Sequence, residues 1–594
     1  MKDDHCHAKP GKLVKSLVEG ALAEKTDLEL STDAREALLM RINVEPPPKD
    51  KPGHIATNAA FILAGTLQMP PPQVAAWLQP FFAACDTVKT VTIAGGGFVN
   101  LTLHTAYWQH LVRTVLQQKE TFGCTLWGKG RALNVEYVST NPTGPLHIGH
   151  GRIAVVGDVL ANLYAATGFK VTREYYINDA GEQIATLARS LYARYLEALG
   201  HNNDGVPEGC YPGEYLKKVA LDLIEQHGDM YVKAPASVWQ PLCGDFAVNA
   251  MMADIKQTLQ HLRIHHDLFV SEKALVENGL PDKMLHKLQK RDLVYEGTLP
   301  PPKGKDVKDW TPETLTLFKA SAFGVPADAP LKNAQGKLTY FGGDVTYHKD
   351  KLNRGFDHMV TVWGADHGGH VARLQAAVEV LSGHKNRLKV VLCQMVRVLQ
   401  GGQPLKMSKR AGQMVSLDEL CEAVGPDVLR FMLLTQTQGT HLTLDIEDML
   451  KTSNENPVFY VLYAYARAHS VMRAATETWS AADLDDARLL EAEIAPILKG
   501  KTLELVRHLA FWPACVEGAA RAAEPHRLTT YLIELARLFH GLWSRGKKET
   551  TLRFLHTDDK ALSLQWLAIL RAMMTVLAHG CAILGIEPRE QMFS

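Results

Sequence analysis

From residue 132 onward the chain alternates short runs rich in β-branched and aromatic residues with longer runs of helical periodicity. Residues 132–138 read as a strand and 149–167 as a helix. Lys170–Ile177 reads as a strand, 180–199 as a helix, and 358–363 and 388–398 as buried strands. Strands separated by helices cannot pair as hairpins. They predict a parallel sheet with helices on both faces, with ligands outside the carboxyl ends of the strands. The pattern spans 106–450 and is interrupted at about 200–330 by mixed helices and a Pro/Lys-rich loop at 300–308, which reads as an insertion.

The flanking blocks differ in kind. Residues 1–105 mix helices at 13–25, Thr32–Arg41 and 56–67 with strands at Val88–Ala94 and Phe98–Leu103. Pro70-Pro71-Pro72 breaks the third helix, and Gly95-Gly96-Gly97 reads as the turn of a hairpin. Residues 451–594 are almost wholly helical by periodicity, with long apolar stripes at 458–466 and 528–543, and predict a bundle.

Two motifs carry chemistry. Asn141-Pro142-Thr143-Gly144-Pro145-Leu146-His147-Ile148-Gly149-His150 follows a strand and opens a helix. A helix N-terminus offers unpaired N–H groups and partial positive charge to an anion. His147 and His150, three apart, share one side of the first turn and can donate to phosphate oxygens, while Gly149 would allow close approach of a nucleotide. Taken alone, the tetrapeptide also fits an ordinary helix start. Lys406-Met407-Ser408-Lys409-Arg410 lies beyond the last strong strand, between Gly401-Gly402 and Gly412. Closely spaced cations on a loop can grip a triphosphate, although most charge runs are simply solvated.

Together the motifs resemble the two signatures of class I aminoacyl-tRNA synthetases, and the similarity to the arginyl family runs through nearly the whole chain. It rests on 134–142 (Asn-Val-Glu-Tyr-Val-Ser-Thr-Asn-Pro), 175–181 (Tyr-Tyr-Ile-Asn-Asp-Ala-Gly), 340–344 (Tyr-Phe-Gly-Gly-Asp), Tyr347-His348, 362–367 (Val-Trp-Gly-Ala-Asp-His) and 427–431 (Asp-Val-Leu-Arg-Phe). The resemblance implies a Rossmann-like α/β catalytic domain at 106–450, an N-terminal α+β tRNA-elbow domain at 1–105 and a C-terminal helical anticodon-binding bundle at 451–594. It implies activation of L-arginine with ATP and transfer to the terminal adenosine of tRNA(Arg), with activation dependent on bound tRNA.

Residue by residue, the resemblance makes His147, His150, Lys406 and Lys409 catalytic. It puts ATP against Asn141, Pro142, Thr143, Gly144, His147, Gly149, His150, Met407, Ser408 and Lys409. It gives the guanidinium to Glu136, Tyr340 and Asp344, and the α-amino and carboxylate groups to Asn141 and His367, with Asp366 orienting His367. A guanidinium does want planar carboxylates and an aromatic or hydroxyl neighbour, although either carboxylate alone also fits a structural ion pair. Phe98 and Asn100 would meet the tRNA elbow. Tyr460, Tyr463 and Arg467 lie at helical spacing and suit either the anticodon or the core. Two departures stand out: Gly368, where bacterial relatives often carry histidine, and a chain ending Met592-Phe593-Ser594, where many relatives end at methionine.

Composition narrows the setting. Lys+Arg and Asp+Glu both number 64, so any RNA surface must be local and not a global basic field. The nine cysteines form no CxxC pair, which fits free thiols in a reducing compartment. His5-Cys6-His7 lacks partners at zinc spacing, so no protein-bound zinc or other metal is expected beyond the Mg²⁺ that accompanies ATP. With no apolar leader and no apolar run long enough for a membrane span, the expectation is a monomer in the cytoplasm. The stretch between the two motifs is too short for a large editing insertion, and a charged side chain can be selected in one step. Another class I synthetase, a catalytically silent tRNA-binding relative and a small adenylyltransferase remain alternatives. The first would differ in amino-acid dependence, the second by degraded motifs and the third by lacking a helical tail.

Overall fold

The computed structural model describes residues 9–25, 28–201, 205–300, 312–405 and 416–591. His5-Cys6-His7, the lysine motif at 406–410 and the last three residues lie outside them.

The amino-terminal block begins with helices Pro10–Ala23 and Thr32–Arg41. It then builds an antiparallel sheet from β1 (Val44–Glu45), β2 (Ile55–Thr57), β3 (Val88–Ala94) and β4 (Phe98–Leu103), in the order β1-β2-β4-β3. The expected helix at 56–67 starts later, at Ala59, because residues 55–57 pair with β4 and Asn58 turns outward to accept the Asn43 N–H at 2.8 Å. The proline triplet ends one helix and starts the next, Pro71–Ala83, where a missing N–H costs nothing.

The centre is a five-stranded sheet of β5 (Ala132–Glu136), β6 (Lys170–Ile177), β7 (Leu268–Ser271), β11 (His358–Gly364) and β12 (Leu388–Cys393). Its order is β12-β11-β5-β6-β7 and every pairing is parallel. Strand order reverses between β5 and β11, and the crevice at such a switch point is where doubly wound sheets bind ligands. Two expectations need correcting. The stretch 200–330 is not a single interruption, since β7 within it forms the edge of the main sheet. On one side of β7 lie helices Tyr215–His227 and Ala236–His261, and on the other a small antiparallel sheet of β8 (Val294–Gly297), β9 (Leu315–Phe318) and β10 (Ala329–Lys332). The strand expected at 388–398 is two strands. After β12 the chain leaves the main sheet, because the Gln394 N–H bonds to the Gln438 carbonyl, and β13 (Val396–Gln400) pairs instead with β14 (Gln403–Pro404) and β15 (Leu442–Asp445).

The carboxyl-terminal block is a bundle whose longest members are Pro457–Thr478, His526–Gly546 and Lys560–Leu584. Lys560–Leu584 is long and apolar enough to cross a membrane, but 72% of its most apolar stretch is buried inside the protein, as befits a core helix. The bundle is bolted to the centre by one buried cation. Arg430 is fully buried and donates from Nη2 to Asp158 Oδ2 at 2.5 Å, from Nε to the Leu584 carbonyl at 2.8 Å and from Nη1 to the Leu262 carbonyl at 2.8 Å. Gly585 has φ +68°, and a Cβ there would collide with this guanidinium at 2.1 Å. Nearby, Arg263 bonds Asp427 at 2.7 Å, and Asp427 also accepts the Glu587 N–H. The amino-terminal block docks on the bundle as well: Arg507 donates from Nη2 to the His54 carbonyl at 2.7 Å.

Removing one partner of a buried pair strands the other charge. Arg430→Met is expected to lower unfolding stability by about 3 kcal/mol, measured by urea denaturation. A loss under about 1 kcal/mol would show that the junction does not hold the bundle.

Candidate active site

The loop from β5 to the helix Ile148–Ala166 crosses the switch point. The strand stops at Glu136, two residues before the expected end, because Val138 and Ser139 take φ of +68° and +40°. Such a conformation in non-glycine residues needs external support. Ser139 has it: its Oγ accepts the Tyr176 N–H at 3.0 Å and its N–H donates to the Tyr137 carbonyl. The reversal throws residues 140–147 over the sheet's carboxyl edge. Asn141 is exposed and Pro142 buried. The Thr143 carbonyl accepts the Tyr215 hydroxyl at 2.5 Å, and a side chain on Gly144 would crowd that hydroxyl at 3.1 Å.

His147 is the N-cap of its helix and His150 the third residue inside it. His147 Nδ1 accepts the Gly149 N–H at 3.1 Å, and His150 Nδ1 accepts the His147 N–H at 3.3 Å. The rings stack with centroids 3.6 Å apart. With both Nδ1 atoms acting as acceptors, the neutral rings carry their hydrogens on Nε2, which makes Nε2–H the donor each can offer an anion. The role expected for Gly149 shifts: a Cβ there would meet His147 Cε1 at 2.9 Å, so its missing side chain makes room for the histidine ring.

At the carboxyl end of β5, where Glu136 stands, lies a largely buried acidic cluster, the cavity in which a cation would sit. Tyr340, Asp344, Tyr347 and Lys351 fall on one face of the helix Tyr340–Asn353. Asp344 is buried, and its Oδ2 has no hydrogen-bond partner. Burial, and after it the charges of Glu136 and Glu272, hold its carboxyl well above the usual carboxylate range, against a smaller pull from Lys351. Glu272 opens the helix Glu272–Glu277 just after β7. A Cβ on Gly343 would stand 3.1 Å from its Oε1, which puts the carboxyl against the Asp344 helix. Burial, with help from Asp179, pushes Glu272 up to about 7. The Tyr176 and Tyr340 hydroxyls are pushed upward too, first by burial and then by these carboxylates.

Glu136 has a partner within the protein that the sequence did not show. The side chain is buried and bonded through Oε2 to the Lys351 ammonium at 2.6 Å and the Thr361 hydroxyl at 3.2 Å. Its Oε2 thus already meets a cation. Glu272 and Lys351 were missed in the sequence. Lys351 stands seven residues after Asp344, at helical spacing, which is a readable signal. His367 sits on the short 3₁₀ turn after β11, with Tyr340, Trp363 and His370 around it, and Asp366 Oδ2 lies 3.6 Å from its Nε2. Tyr340 is 48% exposed and forms the rim.

Lys406, Met407, Ser408 and Lys409 lie outside the described residues. Phe98 is 47% exposed beside Phe61, with ring centroids 4.9 Å apart. Asn100 is buried, and its side chain donates to the Pro52 carbonyl at 2.9 Å, so of the expected elbow pair only Phe98 faces outward. Tyr460, Tyr463 and Arg467 pack towards the helix His526–Gly546: Tyr460 and Tyr463 lie against His540, and Arg467 stacks over Tyr463 and Trp543. Among the described residues no group of three or more His, Cys, Asp and Glu is placed to hold a metal ion.

Known proteins supply the context. Residues 12–103 match the family described as arginyl tRNA synthetase N terminal domain, 111–431 the class I (R) tRNA synthetase catalytic domain, and 461–592 the DALR anticodon binding domain. The arginine–tRNA ligase of Azorhizobium caulinodans is 46% identical over 93% of this chain and 95% of its own. That of Rhodospirillum rubrum is 45% identical over 93% and 95%. The solved Thermus thermophilus arginyl-tRNA synthetase, at 22% identity, covers 98% of this chain and 100% of its own with a TM-score of 0.70, a likeness of fold. With its class I catalytic domain, its appended amino-terminal domain and its helical tail, the chain belongs to the arginyl-tRNA synthetase family.

Proposed function

We propose that this chain, an arginine–tRNA ligase by family, selects its amino acid by charge: Asp344 and Glu272 hold the guanidinium, under the rim of Tyr340. The observation that carries this reading is the unpartnered, buried Oδ2 of Asp344 in a cavity that Glu272 makes still more negative. A delocalised cation with five donors suits such a cavity, and a neutral side chain would leave its carboxyls unpaired. Glu136, neutralised by Lys351, acts on this reading as a support that keeps the cavity's shape. His367 stands beside the Tyr340 ring, with centroids 6.0 Å apart, and His367 and Asn141 are assigned the α-amino and carboxylate ends of arginine, an assignment that rests on the sequence motifs.

ATP is assigned to the loop Asn141–Gly144 and the helix start at His147, with Mg²⁺ arriving as part of that substrate. The arginine carboxylate is already ionised at neutral pH and needs no general base. It attacks the α-phosphorus, pyrophosphate leaves, and arginyl-adenylate forms. The Nε2–H groups of His147 and His150 donate to phosphate oxygens as charge builds there. Lys406 and Lys409 are assigned the departing phosphates, Met407 and Ser408 lying beside the nucleotide, an assignment that rests on the sequence motif. A terminal hydroxyl of tRNA(Arg) then attacks the adenylate carbonyl and AMP leaves. The work is positioning and electrostatics. Phe98, paired with Phe61, offers an exposed aromatic surface for an unstacked base of the tRNA elbow. The eight described cysteines are all free, which supports placing the chain in the reducing cytoplasm.

Asp344→Asn is expected to raise the KM for arginine by about two orders of magnitude, equivalent to about 3 kcal/mol for truncating one partner of a buried charge pair, while the KM for ATP stays within about threefold. An unchanged arginine KM would remove Asp344 from the pocket. Pyrophosphate exchange is expected only when tRNA(Arg) is present; measurable exchange with arginine and ATP alone would contradict tRNA-dependent activation.

A further inference from the structure

Arg152 lies five residues past His147 on the same helix and is completely buried. Among the described residues its guanidinium makes no ion pair. Nη1 donates to the carbonyls of Gln394 at 3.0 Å and Thr440 at 2.6 Å, Nη2 donates to that of Thr437 at 2.9 Å, and Nε has no partner. A buried cation without a counter-ion is a poor device for stability, since an apolar side chain of similar volume would pack at less cost. What a guanidinium offers instead is a rigid planar fork that can grip several carbonyls at once.

The three carbonyls occupy one structural joint. Gln394 is the point where the chain quits the main sheet after β12, and Thr437 and Thr440 close the turn that leads into β15. β13 and β15 run side by side from this joint, and β14 folds back on β13. A second tie lies at the start of the helix Leu417–Val424. The Leu417 N–H donates to the carbonyl of Leu146, the residue before His147, at 2.8 Å, and the Leu417 side chain covers Gly151, where a Cβ would meet it at 2.6 Å. The small sheet and the helix after it are thus both referenced to the first turns of the histidine helix.

We propose that Arg152 is a positioning residue of the ATP site: by gripping the carbonyls of Gln394, Thr437 and Thr440 it sets the β13–β15 sheet in register with the helix that begins at His147. The inference rests on the assignment of ATP to His147 and His150. Arg152→Lys keeps the charge but loses the planar fork, and Arg152→Gln loses both the charge and most of the reach. Misplacement on the order of 1 Å can cost a hundredfold in rate.

The test is aminoacylation and tRNA-dependent exchange by the full-length enzyme, normalised to the folded fraction. For Arg152→Lys and Arg152→Gln, kcat is expected to fall about tenfold or more with the arginine KM within about twofold, since the bonds of Arg152 go to Gln394, Thr437 and Thr440 and not to Asp344 or Glu272. A lower melting temperature with wild-type kcat per folded molecule, or equal losses in kcat and arginine affinity, overturns the proposal. If neither Arg152 variant folds, Leu417→Ala decides: kcat lowered about threefold or more at unchanged arginine KM supports the register, and wild-type kcat overturns it. His150→Asn, measured alongside, separates the two readings. Full activity there removes the ATP assignment itself, whereas an inactive His150→Asn beside a normal Arg152→Lys removes only the positioning role.

Discussion

Carboxylates gathered in one buried space raise each other's energy until a cation joins them. Asp344, Glu136 and Glu272 are such a group, and the fold answers only part of their demand. The Lys351 ammonium, itself fully buried, neutralises Glu136 at 2.6 Å. Asp344 and Glu272 make no ion pair among the described residues, and their carboxyls are held above the ordinary range, first by burial and then by neighbouring carboxylates, Asp179 for Glu272 and Glu136 and Glu272 for Asp344. The missing charge is the recognition element of the proposed function. It also explains why one-step selection is physically adequate, because a neutral competitor would strand buried polar groups.

The cavity can be this acidic because the surrounding sheet is rigid. Asn134 and Arg354 hold Glu174 beneath it, Tyr347 donates to Glu174 at 2.6 Å, and the Tyr176 and Tyr347 rings stack at 4.0 Å. The strand that ends at Glu136, β5, leads directly into the loop that opens the histidine helix. The blocks at either end are not loosely attached. Arg430 ties the last helix to the histidine helix through Asp158, and Arg507 ties the bundle to the first block through the His54 carbonyl.

Much of this was legible in the sequence, and the rest was hidden for identifiable reasons. Thr32–Arg41, Val88–Ala94, Phe98–Leu103 and Lys170–Ile177 lie where their periodicity places them, since amphipathic or β-branched runs bounded by Gly, Pro or Ser leave little choice. β7 was not legible: four half-buried residues carry no period, so a strand of the main sheet read as part of an insertion. The split at Gln394 escaped because it depends on Gln438 and Arg152, both distant in the chain. Within the site, the motif histidines and Asp344 could be named from local pattern. Glu272 could not, because only the fold brings the start of a six-residue helix beside Gly343. Glu136 was visible, but its partner Lys351 is 215 residues away, so their pairing could not be read from local pattern.

The central claim is that the cavity is a receptor for a cation, and the most direct measurement is a proton count. Glu272, raised to about 7, is roughly half protonated at neutral pH, and Asp344 is raised as well. A bound guanidinium favours the ionised forms, so binding must expel protons, more at pH 6 than at pH 8. Calorimetric titration of arginine into the enzyme–tRNA complex, repeated in buffers of different ionisation heat, gives that number. The account predicts release of about half a proton or more per arginine at pH 7, falling as the pH rises and reduced in Glu272→Gln. Arginine binding with no proton exchange at pH 7 would contradict it.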